Sequence, residues 1–345
     1  MLRPTTQTPI LRPMHWHLLA LLTACIWGST FAASSLLIKA GLSPAEIMSL
    51  RFAVAYLLML PFEAKGMVQH AIRYRQSDRS ARRVSWRDEG LFILLGITGG
   101  SLYFLTENYA VKLTSYTSTV ALIVSTCPIL TAFIHRLLWR GEHLSSRFLL
   151  GSSAALTGVT LVVLNGVFVL DDNPWVILLS FGAALSWAFY SIILKLLDRR
   201  YASDVITRKV FFWGIVTMLP VCWYESVSGH SLLLDFSHTV TAPETGWWGP
   251  LHIEMLTSSA VAWPLLYLSF IASLGCFLVW NIVCKRITVV VASNYLYFNP
   301  VTSLLAGAIL LDERITWPAI IGCIVTIAGV YLCNTKLQRT PSVKD

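Results

Sequence analysis

Ten long apolar runs follow one another along the chain, separated by polar segments. Most are close to the roughly 20 residues that a helix needs to cross a bilayer core, and they are too continuous for the alternating pattern of a membrane β-strand. The second and seventh runs are short. The pattern predicts an all-α integral membrane protein with ten transmembrane helices. The runs are 16–38, 45–62, 90–110, 115–138, 147–166, 174–197, 207–225, 259–283, 288–310 and 316–334.

The composition supports this interpretation. Hydrophobic residues make up 55% of the 345 residues, charged residues only 13%, and the mean hydropathy is +0.65. Soluble domains carry roughly 25% charged residues, so a soluble enzyme, a disordered tail and a disulfide-rich secreted module are excluded. The seven cysteines lie inside or at the ends of apolar runs and lack zinc-site or CxxC spacing. We therefore expect no metal and no cofactor.

The basic residues are distributed unequally between the two sides of the predicted membrane. Of 26 Lys and Arg residues, 22 fall on the side that holds both tails and the connections after even-numbered runs. Positive charge marks the cytoplasmic side, so both termini are expected in the cytoplasm. The net charge of +8 then reflects topology and contact with anionic lipid, most of all in the basic 63–89 loop, rather than nucleic acid. The 226–258 loop has no Lys or Arg and is expected outside.

Two stretches of the chain repeat each other. Each carries a proline inside an apolar run, an acidic turn, and two glycines seven residues apart, and from the acidic residue onward the offset is 171. Prolines inside membrane helices are expected to kink them, and the glycines allow two helices to approach closely. The residues are Pro128, Glu142, Gly151 and Gly158 in the first copy, and Pro300, Glu313, Gly322 and Gly329 in the second.

Further matches divide the chain into two halves of five helices. Trp27 recurs as Trp187, and the pair Asn108 and Lys112 recurs as Asn281 and Lys285. Because each half has an odd number of spans, the halves must insert in opposite senses, which is typical of transporters with a binding site between the halves. The predicted organisation is a cytoplasmic tail, two repeats and a second cytoplasmic tail, over residues 1–15, 16–166, 172–335 and 336–345.

These motifs resemble the EamA family of the drug/metabolite transporter superfamily over nearly the whole chain. The resemblance is carried by Trp27-Gly28-x-x-Phe31, Arg51-Phe52, and the two runs from Pro128 to Gly141-Glu142 and from Pro300 to Asp312-Glu313. It implies secondary transport by alternating access, most often export of amino acids or other small metabolites. It also implies a central cavity between helices 1, 3, 4, 6, 8 and 9, and no shared catalytic residues.

Glu107 is the most distinctive polar residue inside a span. It is either a carboxylate that exchanges protons or balances an amine, or an interfacial residue paired with Lys112. Burial favours the neutral carboxyl and a nearby cation the charged form. Arg51 either snorkels or caps a neighbouring helix, or binds a substrate carboxylate. His135 is interpreted as interfacial rather than as a proton relay.

Uncharged amides and aromatic residues complete the candidate substrate-binding set. Amides in membrane helices also bond simply to neighbouring helices, and aromatic residues are common at membrane interfaces, so each has a structural alternative. The candidates are Trp27, Tyr103, Asn108, Trp187, Tyr190, Asn294, Tyr295 and Asn299, with Glu107 for proton coupling and Pro128 and Pro300 as helix kinks.

The sequence therefore predicts a multi-pass transporter of a small metabolite in the cytoplasmic membrane, and not an enzyme. The expected partners are the metabolite and the lipid bilayer, without nucleic acid; a homodimer is left open. An integral-membrane lipid-modifying enzyme would show clustered His, Asp or Glu residues near one face, and a receptor or scaffold would carry a large extramembrane domain. Neither feature is found, and no nucleotide-binding or hydrolase motif occurs.

Overall fold

A computed structural model describes residues 13–74, 86–114, 117–139, 146–164, 173–198, 200–228, 258–311 and 315–334. All regular secondary structure within these residues is helical, and we number ten helical units α1 to α10. The first five are α1 Pro13–Lys39, α2 Pro44–Tyr74, α3 Trp86–Leu113, α4 Thr117–Leu138 and α5 Ser146–Leu164. The second five are α6 Pro174–Leu197, α7 Ser203–Ser228, α8 Ser259–Ile287, α9 Val289–Leu311 and α10 Trp317–Asn334.

The ten predicted spans correspond to these ten units. Among the described residues, nine helices are long and apolar enough to cross a membrane. The tenth unit, α9, is built from shorter pieces, with a 3-10 segment at Asn294–Phe298 between two α-helical segments. The all-α fold of two five-helix repeats in opposite orientation is thus confirmed, with one span built from shorter pieces.

Two helices extend beyond the predicted apolar runs. The second run, 45–62, agrees with the apolar span Pro44–Pro61, but the helix α2 continues through Pro61 to Tyr74. The first part of the basic 63–89 loop is therefore helical, while residues 75–85 lie outside the described part of the chain. Likewise, α7 extends to Ser228, so it is not a short span. The histidines of the 226–258 loop fall outside the described residues.

Four of the ten units are interrupted, at equivalent places in the two halves. Units α3 and α8 each contain a π-helical segment, at Ile97–Ser101 and Tyr267–Gly275. Units α4 and α9 each change geometry just before their proline, so that Pro128 and Pro300 occupy the second position of a new helical segment. Proline is well accommodated in a first helical turn, because its missing N–H has no partner there anyway. Such interruptions often lie at functional sites.

Helix packing follows the pseudo-two-fold relation between the halves. Unit α1 packs against α8 and α9, and its counterpart α6 packs against α3 and α4. The equivalent units α2 and α7 pack against each other. The repeated residues Trp27 and Trp187 meet at this axis, with their rings 5.0 Å apart, and the ring of Phe52 in α2 lies 4.8 Å from that of Phe211 in α7.

Units α5 and α10 form a separate pair held by the four repeated glycines. A methyl group added to Gly158 would lie 2.6 Å from the Gly322 carbonyl oxygen, and one added to Gly322 would lie 2.5 Å from the Gly158 carbonyl oxygen. The same reciprocal contact joins Gly151 and Gly329, at 2.8 and 2.7 Å. The repeated glycine spacing therefore brings two backbones together.

Polar side chains tie the helix ends together. At one end of the bundle, Asp88 pairs with Arg200 at 2.6 Å and Glu89 with Lys209 at 2.7 Å, which joins the start of α3 to the α6–α7 connection and to α7. At the opposite end, the Tyr109 hydroxyl donates to Glu225, which joins α3 to α7. The middle of the bundle lies between these two polar layers.

Candidate functional site

A small cavity lies where the two halves meet. It is lined by α1, α3, α4, α6 and α9, and its α9 wall is at the point where that unit is interrupted. The lining residues are Trp27, Thr30, Tyr103, Phe104, Glu107, Val124, Cys127, Trp187, Leu296 and Asn299.

Aromatic rings form much of the cavity wall. The Trp187 ring lies 5.0 Å from the rings of both Trp27 and Tyr103, and Tyr103 lies 4.9 Å from Phe104. The Trp27 indole N–H donates to the Ala272 carbonyl oxygen at 2.9 Å, which holds that ring in place. Because the rings support one another, the wall presents large and rigid aromatic faces.

Glu107 supplies the carboxyl group of the cavity. Its side chain is buried, and it interacts with the Arg51 guanidinium and the Tyr103 hydroxyl. Arg51 is itself buried: its Nε donates to Ser273 Oγ at 2.8 Å, and its guanidinium lies 4.3 Å from the centre of the Phe104 ring. The Arg51 guanidinium therefore lies behind the cavity wall, where its hydrogen bond to Ser273 links it to the π-helical segment of α8.

Two further polar atoms at the cavity make no hydrogen bond within the described part of the chain. They are Trp187 Nε1, a donor, and Asn299 Oδ1, an acceptor. Both residues are buried, at 4% and 6% exposure. Buried polar atoms are nearly always paired in folded proteins, so the cavity has unused capacity for hydrogen bonding.

Gly28 allows α1 to pack directly against the interruption in α9. A methyl group at Gly28 would lie 2.4 Å from the Asn299 carbonyl oxygen and 1.8 Å from Thr302 Oγ1. Gly28, which follows Trp27 in the first motif, is therefore needed for this packing. Any larger residue at this position would displace α9. This close approach sets the position of Trp27 relative to Asn299.

The structure brings together five of the residues selected from the sequence and leaves four outside the lining. Trp27, Tyr103, Glu107, Trp187 and Asn299 line the cavity. Of the other four, three make hydrogen bonds to other helices and one is buried in α3. Tyr190 donates to Asn281 Oδ1 at 2.7 Å, Asn294 donates to Asn334 Oδ1 at 2.8 Å, Tyr295 bonds to His17 Nδ1 at 2.8 Å, and Asn108 is buried in α3.

Several residues near the cavity or the helix ends were not selected from the sequence. Thr30, Phe104, Val124, Cys127 and Leu296 complete the lining, and only their proximity along the chain to selected residues could have indicated them. The buried carboxylates Glu46 and Glu225 were also missed. Both lie near Ser43, whose backbone N–H donates to Glu46 at 2.7 Å and whose hydroxyl donates to Glu225 at 3.3 Å.

His135 and Lys195 contact each other outside the cavity lining. His135 is buried, contacts Lys195, and stacks on Trp139 with ring centres 4.7 Å apart. Lys195 also lies 4.5 Å from the centre of the Trp139 ring. His135 therefore belongs to a contact between α4 and α6 rather than to the cavity lining.

Two inverted helical repeats around a cavity define the architecture of a class of membrane transporters. The sequence agrees: the EamA-like transporter family matches the chain twice, at residues 14–164 and 174–335. The chain belongs to the EamA-like transporter family. It is therefore a multi-pass membrane protein of a transporter family, and not an enzyme.

Individual relatives are similar over nearly their whole length. A probable amino-acid metabolite efflux pump of Escherichia coli K12 is 23% identical, covering 94% of this chain and 97% of that protein. An uncharacterized transporter of Archaeoglobus fulgidus is 25% identical, covering 94% and 98%. A probable terminal-alkyne amino-acid exporter of Streptantibioticus cattleyicolor is 24% identical, covering 91% and 92%.

A solved crystal structure shares the fold. Its TM-score is 0.62 at 16% sequence identity, and the match covers 93% of this chain and 98% of that chain. The likeness therefore supports the arrangement of the helices.

Proposed function

We propose that this protein is a secondary transporter that exports an amino acid or a related small metabolite across the cytoplasmic membrane by alternating access. The observation that carries the proposal is the cavity between the two inverted repeats, with the buried carboxyl of Glu107 among aromatic residues. Two relatives named as an amino-acid metabolite efflux pump and an amino-acid exporter support the substrate class and the direction.

The interruptions of the helices support movement around the cavity. Each of α3, α4, α8 and α9 changes helical geometry near its middle, where fewer regular backbone hydrogen bonds must break for one half of the unit to tilt. The polar layers at the two ends of the bundle can then open in turn. In this mechanism the α5–α10 pair remains a fixed unit, because its backbones are already in contact.

Transport by the purified protein tests this proposal. We expect saturable, protein-dependent flux of some members of an amino-acid and amine panel in reconstituted vesicles, with preloaded unlabelled substrate accelerating uptake of labelled substrate. The matched control is Gly28→Leu, which should close the approach of α1 to α9 and remove the flux. Absence of counterflow for every compound in the panel would contradict the proposed transport of this substrate class.

The proposed orientation places both termini in the cytoplasm. It rests on the 22 of 26 basic residues on one side of the membrane. A reporter active only in the cytoplasm should give a signal when fused at Ser342 and none when inserted in the 226–258 loop. A reporter active only outside should give the reverse pattern, and equal signals from the two sites would refute this topology.

A further inference from the structure

The polar atoms of the cavity specify which ligand chemistry fits there. Asn299 Oδ1 can only accept a hydrogen bond and Trp187 Nε1 can only donate one, and neither atom has a partner in the described part of the protein. Both side chains are more than nine-tenths buried in the cavity wall. A folded protein rarely leaves such atoms unpaired, so the two atoms are available to a molecule bound in the cavity.

The carboxyl of Glu107 adds a second group that accepts hydrogen bonds. Arg51 interacts with Glu107 but is held behind the wall by Ser273 and Phe104, and it does not line the cavity. Because an ionised Arg51–Glu107 pair has no net charge, net charge alone does not select a cationic ligand. Selection depends instead on which ligand atoms can donate to Glu107 and Asn299.

The aromatic wall favours a cation at the same place. A cation over the face of a Trp, Tyr or Phe ring is attracted to it, and cages of aromatic rings bind ammonium ligands. Four of the lining residues are aromatic: Trp27, Tyr103, Phe104 and Trp187.

We propose that the cavity recognises its substrate through a primary ammonium group. The ammonium donates N–H bonds to Glu107 and to Asn299 Oδ1 and lies against the aromatic faces. Trp187 Nε1 donates to an oxygen on a neighbouring carbon of the ligand, such as a hydroxyl or a carboxylate. This inference rests on the proposed transport function and defines the chemical group that the transporter recognises.

The proposal distinguishes three kinds of ligand. A quaternary ammonium retains the charge and the aromatic contact but has no N–H to donate to Glu107 or to Asn299. A simple carboxylate has an acceptor for Trp187 but nothing to donate to Glu107 or Asn299. A primary amine with an adjacent hydroxyl satisfies all three groups, and leaving any of them unpaired in a buried site weakens binding.

Calorimetric titration of the purified protein in lipid nanodiscs tests this ranking. We expect L-leucinol to bind at least about ten-fold more tightly than its N,N,N-trimethyl derivative, because the derivative cannot make either of two hydrogen bonds, each worth up to roughly a factor of ten. The carboxylate 4-methylpentanoate should show no saturable binding. Equal affinity for the trimethyl derivative, preferential binding of the carboxylate, or no binding of L-leucinol would each overturn the proposal.

Single substitutions test which side chain makes each proposed hydrogen bond to the ligand. In Asn299→Leu, the preference for L-leucinol over its trimethyl derivative should shrink by up to roughly ten-fold, because only the hydrogen bond to Glu107 remains. In Trp187→Phe, the ring remains but the donor is lost, so L-leucinol should lose its roughly ten-fold advantage over 3-methylbutylamine, which lacks the hydroxyl. The control is Trp280→Phe, since Trp280 Nε1 is also buried and makes no hydrogen bond to any residue that the structure describes, but Trp280 does not line the cavity.

Loss of the ligand preferences in Trp280→Phe as well would show that they do not report on the cavity. If Asn299→Leu does not fold, the Trp187→Phe comparison and the ligand series on the unaltered protein still decide the question. The titrations need no gradient, so they are independent of transport. Binding with the expected ranking but without flux in vesicles would refute the transport proposal alone, and flux of simple carboxylates would refute the ammonium proposal alone.

Discussion

Replacing Glu107 with Gln is expected to abolish proton-driven accumulation of substrate while counterflow exchange persists. We propose Glu107 as the group that couples transport to protons, because it is a buried carboxyl on the wall of the cavity. One charge moved through 100 mV supplies about 2.3 kcal/mol, enough for a gradient of roughly fifty-fold. A glutamine has nearly the same size but cannot exchange a proton. The substrate concentrations on the two sides of the membrane should therefore become equal.

Accumulation and counterflow are measured in the same reconstituted vesicles, with an imposed pH gradient and without one. Because Glu107→Gln also weakens the proposed ammonium contact, counterflow should need a substrate concentration raised by about ten-fold or more. The matched control is Glu46→Gln, since Glu46 is also buried but does not line the cavity. Full proton-driven accumulation by Glu107→Gln would make the carboxyl structural.

Introducing a large side chain at Gly158 is expected to destabilise the whole protein. In Gly158→Leu, the first side-chain carbon alone would lie 2.5 Å from the Thr326 backbone nitrogen and 2.6 Å from the Gly322 carbonyl oxygen. Backbone atoms of α10 cannot move aside as a flexible side chain can, so the two helices must separate. Overpacking typically costs 1–3 kcal/mol, and we expect about 3 kcal/mol or more here.

The apparent melting temperature in detergent and the elution profile measure this effect. Gly158→Leu and Gly322→Leu should both melt well below the unaltered protein or elute as aggregates. The comparison variant is Gly90→Leu, because a methyl group at Gly90 meets nothing within 4 Å. Unchanged stability of Gly158→Leu would mean that α5 and α10 are not in backbone contact.

Hydrophobicity predicted the number and type of the helices because it depends on the local need to bury apolar residues in lipid. The same property could not show the interruptions in α4 and α9. Residues 294–298, Asn-Tyr-Leu-Tyr-Phe, are more polar than the residues on either side, but polarity alone does not specify a 3-10 geometry. The change of geometry lies next to the place where α9 meets Gly28 of α1, a contact between helices that are distant in sequence.

In the candidate site, too, the sequence predicted some properties of the residues and not others. Glu107 and Asn108 are neighbours in sequence, but consecutive residues of an α-helix point about 100° apart. Glu107 therefore lines the cavity, while Asn108 is buried elsewhere in α3. Sequence position indicated that both were polar residues at membrane depth, but the direction of each side chain depends on how α3 is rotated against its neighbours.

The proximity of Arg51 to Glu107 was also not predicted. The nearest cation along the chain, Lys112, was the expected partner of Glu107. The packing of α2 near α3 instead brings Arg51 to Glu107. Contacts between helices that are distant in sequence cannot be obtained from the spacing of residues within one helix.

The pairing of Asn108 with Asn281 makes Trp280 the counterpart of Glu107 in the second repeat. A shorter chain of one repeat, assembled as an antiparallel dimer, would place the same residue at both positions and could not carry an acid on one side and an indole on the other. Fusion of two copies into one polypeptide removes this constraint. Duplication thus allowed the tryptophans Trp27 and Trp187 to remain alike across the axis while Glu107 became chemically distinct from its counterpart.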